Sequence, residues 1–349
     1  MAILTTTIGA YPKPDYAPVP NWFDLGETRR EAPTEVYDRL VDPDQGDFVA
    51  LLDRATEEVV REQDALGLDI PTDGEARREH YVYYHCRHLV GFDFDELTRR
   101  VMRHGSWAAR VPTVTGPITA SEPFLPRDWR VAQAVTEKPV KITVPGPLTI
   151  VDSTADSFYR DEKELAFALA DAINVEVLRL ASAGCRWIQV DEPVFARAPD
   201  RALAFGIEAL ARCFEGLETD VQKVVHICCG YPAALDQEDY PKADRQSYFA
   251  LADALEAAPV DAISIEDAHR KNDLSLLERF GSTKVILGLV DISKTRVEGV
   301  EEISDRISDA LNHIDSQRLI AAPDCGLTML PRALAKRKLT NLVAAASIA

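Results

Sequence analysis

Cations are scarce in this chain: its 349 residues hold 39 lysines and arginines against 57 acidic residues, a net charge of −18. Nucleic-acid phosphates demand clustered lysine and arginine, so that class of partner is excluded. An anionic membrane surface is excluded on the same ground. No run approaches the ~20 uninterrupted apolar residues of a membrane-spanning helix. The opening "MAILTTTIGAYPKP" has no basic leader and no long apolar stretch, so no signal peptide is expected. Six cysteines do not make a disulfide framework in a chain of this length. They fit a reducing cytoplasm, where cysteine serves as core residue, metal ligand or catalyst. No Gly-x-Gly-x-x-Gly follows the first apolar run, which removes the main signature of an open dinucleotide-binding sheet. There is no low-complexity tract and no linker.

What is present is a regular alternation. Short runs rich in β-branched residues stand at 3–9, 68–74, 140–146, 187–193, 223–229, 261–267, 284–291 and 319–325. Between them lie longer stretches with apolar residues at helical spacing, such as 164–184, which closes on a glycine. Eight strands, each followed by a helix, give an α/β fold: a single (β/α)8 TIM barrel forming one domain over 1–349. Two segments exceed the minimum. Residues 11–47, rich in proline, aspartate and aromatics, are expected to wrap the surface or the barrel mouth. Residues 76–139 form an insertion after strand 2, in which "VPTVTGPITA" reads as a hairpin or an extended excursion.

In "VVHICCG" (224–230), His226 and Cys228 stand two apart on a strand and so share a face, while Ile227 and Cys229 take the other. Barrel enzymes gather their chemistry at the C-terminal ends of the strands. Those ends carry Asp73-Gly74-Glu75, Asp191-Glu192-Pro193, His226-Ile227-Cys228, Glu266-Asp267, Asp291 and Asp324-Cys325-Gly326. His226, Cys228, Glu266 and Cys325 thus converge on one rim, and two thiolates, an imidazole and a carboxylate are a fitting zinc set. The plainer alternative is a satisfied core histidine beside a small buried cysteine. Glu266 can equally be a loop carboxylate, Cys325 a helix-start residue, and Asp191 and Glu192 caps for the next helix. Glu75 can simply pair with Arg77 or Arg78. Cys86, Cys185, Cys213 and Cys229 read as core. His80, His85 and His88, in the aromatic and loop-like "REHYVYYHCRH", read as packing.

"TTTIGAYP", "TDGEARRE", "VPGPLTI", "WIQVDEPVF", "VVHICCG", "AISIEDAHR" and "PDCGLTMLPR" occur in that order. The series resembles the C-terminal catalytic barrel of cobalamin-independent methionine synthase, from residue 4 to the end and weakly over 11–65 and 80–138. The resemblance implies a catalytic zinc on His226, Cys228, Glu266 and Cys325, and a zinc-dependent methyltransferase that makes methionine from homocysteine. It also implies homocysteine binding through Ile8, Gly9 and Ala10, where the family has Ile-Gly-Ser, and through Glu75 and Asp191. Two carboxylates suit an ammonium group, and exposed backbone N–H groups suit a carboxylate. This chain departs from the family's folate-using members at two places. Ser153 replaces a tryptophan that stacks on the pterin, and Ser293 replaces a histidine proposed to protonate the departing folate. The other barrel of the full-length enzymes is also missing. The expected donor is therefore a methyl-corrinoid, free or on a partner protein, and not polyglutamyl folate. An alkyltransferase acting on another thiol, such as the epoxyalkane:coenzyme M enzymes, is an alternative, although a sulfonate would meet Glu75 and Asp191 where it needs cations. A non-catalytic zinc-binding barrel is the other.

Overall fold

The computed structural model describes residues 3–21, 34, 37, 47–102, 107–230 and 232–349. Its strands, in chain order, are β1 (Leu4–Thr5), β2 (Leu89–Met102), β3 (Trp107–Ala120), β4 (Lys141–Pro145), β5 (Ala155–Asp156), β6 (Trp187–Asp191), β7 (Gln222–Ile227), β8 (Ala262–Ile265), β9 (Lys284–Val290) and β10 (Leu319–Pro323). Seven of them build one parallel sheet in the order β1-β10-β9-β8-β7-β6-β4. Every residue of β4, β8 and β10 is buried. Burial on both faces lets β10 read as a continuous apolar run, while β4 and β8 place Lys141, Thr143 and Ser264 at alternate positions.

Helices pack on one face of the curled sheet, among them Phe48–Ala65, Glu162–Ser182, Gln246–Glu256, Val300–Ala310 and Arg332–Ile348. The Glu162–Ser182 helix starts where it does because the Asp161 side chain accepts the N–H groups of Lys163 and Glu164. Against these helices lie the outward residues Ile142, Val190, Val225, Ile263, Leu287 and Ala321, part of a core that runs from Ile3 to Ala346. The alternate residues form a second, separate cluster on the inner face: Ile8, Val224, Ala262, Ile286, Ile320 and Ala322, with Trp187 against them.

The two ends of the strand order meet a common segment. Thr6 bridges to Ile70 and Thr72 bridges to Lys141, both in parallel sense, with Ile70 N–H donating to Thr5 O and Lys141 N–H to Pro71 O. A helix side chain completes this join. Gln63 takes the N–H of Thr72 on its Oε1 and gives its Nε2–H to Thr72 O, as a neighbouring strand would.

The insertion is more ordered than its composition suggests. "VPTVTGPITA" is not a hairpin by itself but most of β3, one arm of a long antiparallel pair with β2, and β5 adds a third strand. The stretch around His80, His85 and His88 is not a loop: Tyr81–Cys86 is a helix, with His80 accepting the N–H of Val82 at its start. Within 11–47, residues 22–33, 35–36 and 38–46 lie outside the described residues, and so does most of the expected wrap. No described helix is long and apolar enough to cross a membrane.

Candidate metal and thiol site

β7 delivers His226 to the inner face, and Cys228 follows just beyond the strand's end. Cys325 follows the end of β10. A ring nitrogen of His226 and the sulfurs of Cys228 and Cys325 lie within 4.8 Å of one another. His226 Nε2 is 3.3 Å from Cys325 Sγ, while Nδ1 is held at 2.9 Å by Ser264 Oγ from β8. One ring nitrogen is anchored and the other faces two thiols, the usual arrangement of a ligating histidine. The contact with Cys325 and the imidazole of His226 pull the Cys228 thiol well below an ordinary thiol. Cys325, facing that thiolate, is pushed up. A cation is what lets two adjacent thiolates coexist. By donor type and spacing, the residues present fit zinc.

Glu266, just past β8, stands outside that trio. Its Oε2 accepts the N–H of Cys229 at 2.6 Å and lies 3.7 Å from His269 Nε2. Burial, then the Cys228 thiolate and Asp324, drive its carboxyl well above the ordinary range. Asp324 ties this corner together: it accepts the backbone N–H groups of Asp267, Ala268 and His269, and its Oδ2 meets His269 Nδ1 at 2.8 Å. His269 Nε2 is buried without a hydrogen-bond partner among the described residues. Neither Ser264 nor His269 stands out in the sequence. Asp324 stands at a strand end, which marks its position but not its task.

The remaining expected residues gather beside the trio. Ala10 O accepts the N–H of Leu327, two residues after Cys325. The N–H groups of Gly9 and Ala10 donate to no other described residue, leaving a short stretch of free donors. A Cβ at Gly9 would sit 2.6 Å from Glu75 Oε1, so glycine there leaves that carboxylate its place. Glu75 accepts from Thr143 Oγ1 at 2.7 Å and lies 3.4 Å from Arg78 Nη1. The pairing with Arg78 therefore exists, whereas Arg77 turns to Asp53 and Asp128. Burial raises the Glu75 carboxyl against the pull of Arg78. Ile8 O and Asp191 Oδ1 both accept from Gln189 Nε2. Asp191, opposite His226 in the ladder, is pushed up to about 7, chiefly by burial.

Other expectations resolve individually. Glu192 caps a helix, but the preceding one: it takes the N–H groups of Leu148 and Thr149 at the start of Pro147–Ser153. Cys325 does not begin a helix, as the next one starts at Arg332. Cys86, Cys185, Cys213 and Cys229 are buried in the main core, and Cys229 Sγ accepts from Arg270 Nη2 and contacts Tyr248 OH. His80 stacks on Tyr83 and His88 on Phe124. Ser153 ends its helix with its carbonyl taken by Tyr83 OH. Ser293 is buried, its Oγ donating to Asp291 at 2.6 Å.

Residues 3–348 match the family described as cobalamin-independent synthase, catalytic domain. A methionine synthase of Sulfolobus acidocaldarius is 30% identical over 341 residues, 97% of this chain and 90% of that protein. One from Thermococcus kodakarensis is likewise 30% identical, over 97% of this chain and 91% of its own length. Among solved structures, a B12-independent methionine synthase from Shewanella sp. W3-18-1, in complex with selenomethionine, superposes with a TM-score of 0.85 at 29% identity. That match covers 100% of this chain and 98% of that one.

Proposed function

The chain belongs to the family of cobalamin-independent synthase catalytic domains, and from that premise we propose that it is a zinc-dependent S-methyltransferase that makes methionine from homocysteine. One observation carries the reading: the His226, Cys228 and Cys325 ligand atoms stand within 4.8 Å of one another on the rim that also holds Glu75 and Asp191. The Shewanella relative holds selenomethionine, the selenium analogue of that product. We read the curled sheet as a closed (β/α)8 barrel, supported by the bridges of residues 70 and 72 to β1 and β4. We read 1–349 as one catalytic domain, supported by a core continuous from Ile3 to Ala346. Six free cysteines accord with a reducing cytoplasm.

His226, Cys228 and Cys325 would hold the metal, with Glu266 as the fourth ligand. Zinc there would keep the substrate sulfur a thiolate nucleophile at neutral pH. Glu266 already has Cys229 N–H as a partner and His269 nearby, so it would be the most loosely held of the four. Glu75 and Asp191 receive the amino group, and the free N–H groups at Gly9 and Ala10 receive the carboxylate. Together they fix the thiol's position, and orientation of this kind supplies much of the rate in a bimolecular transfer.

The donor we assign is a methyl-corrinoid, free or on a protein. Ser153 offers no ring for a pterin to stack on, and Ser293 is buried with its hydroxyl committed to Asp291, so neither serves a departing folate. A corrinoid leaves as a cobalt(I) species and needs no proton. Tyr159 does not replace the missing ring, because its hydroxyl is spent on Ile118 N–H and its ring packs against the core. The test offers zinc-loaded enzyme and homocysteine either methylcobalamin or methyltetrahydrofolate, and measures methionine. Methionine from the corrinoid alone is expected. Fast turnover with methyltetrahydrofolate would overturn the donor, and methionine from neither, with alkylation of another thiol, would overturn the acceptor.

A further inference from the structure

Beneath the thiol site, two buried polar atoms on neighbouring strands have no hydrogen-bond partner among the described residues: Nζ of Lys141 and Oε1 of Gln189. Both residues have 0% exposure. Both also belong to the inner face. Lys141 lies two positions before Thr143, which reaches Glu75, and Gln189 lies two before Asp191, to which it donates. The ladder pairs Thr143 with Gln189 and Lys141 with Trp187, so the lysine sits one inward position below the glutamine on the adjoining strand. Gln189 spends its Nε2 on Ile8 O and Asp191 Oδ1, which leaves its oxygen as the group that needs a donor.

An amine buried without a partner is expensive. Burial brings Lys141 down to about 7, and the charge that acts against this is the Asp191 carboxylate. Lysine, glutamine and aspartate thus form a column rising toward the substrate. We propose that Lys141 is a positioning residue for the amino group of the substrate: its charge, buried on the inner face one position below Gln189, acts on the Asp191 carboxylate that the Gln189 amide holds at the thiol site. This rests on Asp191 being the amine-binding carboxylate. Lys141 itself touches no substrate, and its effect is confined to ligands that carry an amine.

The experiment compares homocysteine with 4-mercaptobutyrate, the same thiol acid without the amino group. Binding of each to zinc-loaded enzyme is measured by calorimetry for wild type and for Lys141→Met, which keeps the length and loses the charge. Wild type should prefer homocysteine. Lys141→Met should weaken homocysteine roughly tenfold, the effect of one pKa unit of charge interaction, and leave 4-mercaptobutyrate and zinc content unchanged. Undiminished preference in the variant would overturn the role of Lys141 while leaving Asp191 as the amine site. Loss of both ligands together would overturn it as well, since that is what a merely structural lysine gives. No preference in wild type would instead remove the assignment of Asp191. Lys141→Gln is the second variant, should the methionine prevent folding, and carries the same expectation.

Discussion

At the scale of single residues, Ser264 decides which nitrogen of His226 faces the thiols. Removing an outer partner of a ligating histidine commonly costs ~10–100-fold in metal affinity. Ser264→Ala should therefore weaken zinc binding by about that factor, as read by competition with a chelator, with the four proposed ligands intact. The two adjacent cysteines should separate cleanly. Cys228→Ser should lose most of the metal by elemental analysis, whereas Cys229→Ser should keep it, because the Cys229 thiol is turned to Arg270 and Tyr248. As the proposed amine-binding carboxylate, Asp191 would set a pH dependence. Its carboxyl, raised to about 7, is protonated below that value and cannot hold an ammonium group; above it, the carboxylate can. kcat/KM for homocysteine should fall about tenfold per unit as pH drops below about 7, and this limb should be absent in Asp191→Asn. Alternation along a strand and position at a strand end made the convergence of His226, Cys228 and Cys325 legible, and Glu266, read with them, stands outside that trio. Ser264, His269 and Gln189 were not legible, since their partners come from other strands or loops and spacing in one strand says nothing of them.

At the scale of elements, Asp324 ties the end of β10 to the turn after β8, and it fits only because β9 carries glycine beside it. A Cβ at Gly288 would stand 2.2 Å from Asp324 Oδ1. Gly288→Ala should push that carboxylate aside, at ~1–3 kcal/mol for overpacking. It should lower both the melting temperature and zinc occupancy, although residue 288 is not among the proposed ligands. Zinc occupancy unchanged by this variant would show that Asp324 is not needed to place Cys325. The strands of the parallel sheet were readable as short runs rich in apolar residues, although 68–74, read the same way, joins the sheet through isolated bridges and not as a strand. β2 and β3 were not readable, because 14-residue strands, one with five charged residues and the other with two prolines, lack such a signature. The Tyr81–Cys86 helix was hidden for another reason. Its aromatics and histidines are weak helix formers, and it is held by tertiary contacts such as Tyr84 OH on Asp128 and Tyr83 OH on Ser153 O.

At the scale of the whole molecule, the expected metal joins segments that are far apart in the chain, His226 and Cys325 being neighbours across 99 residues. A ligand that binds only the folded state adds ~4 kcal/mol at a thousandfold excess over its dissociation constant. Chelator-treated protein should thus melt lower, and zinc should restore it; melting unaffected by chelation would argue against a metal in this position. The wall around the site is uneven. Most of it is continuous ladder, but between β1 and β4 it consists of two isolated bridges backed by the amide of Gln63. A curled sheet opens where its hydrogen bonds are fewest, so amide protons at Ile70, Thr72 and Lys141 should exchange with deuterium sooner than those of Val225 and Ile263 within the continuous ladder. Gln63→Leu should quicken exchange at Thr72 first. Any slow breathing that admits a bulky methyl donor would then start on the side of the molecule that also carries Glu75, and the thiol pocket would loosen at its amine end before its metal end.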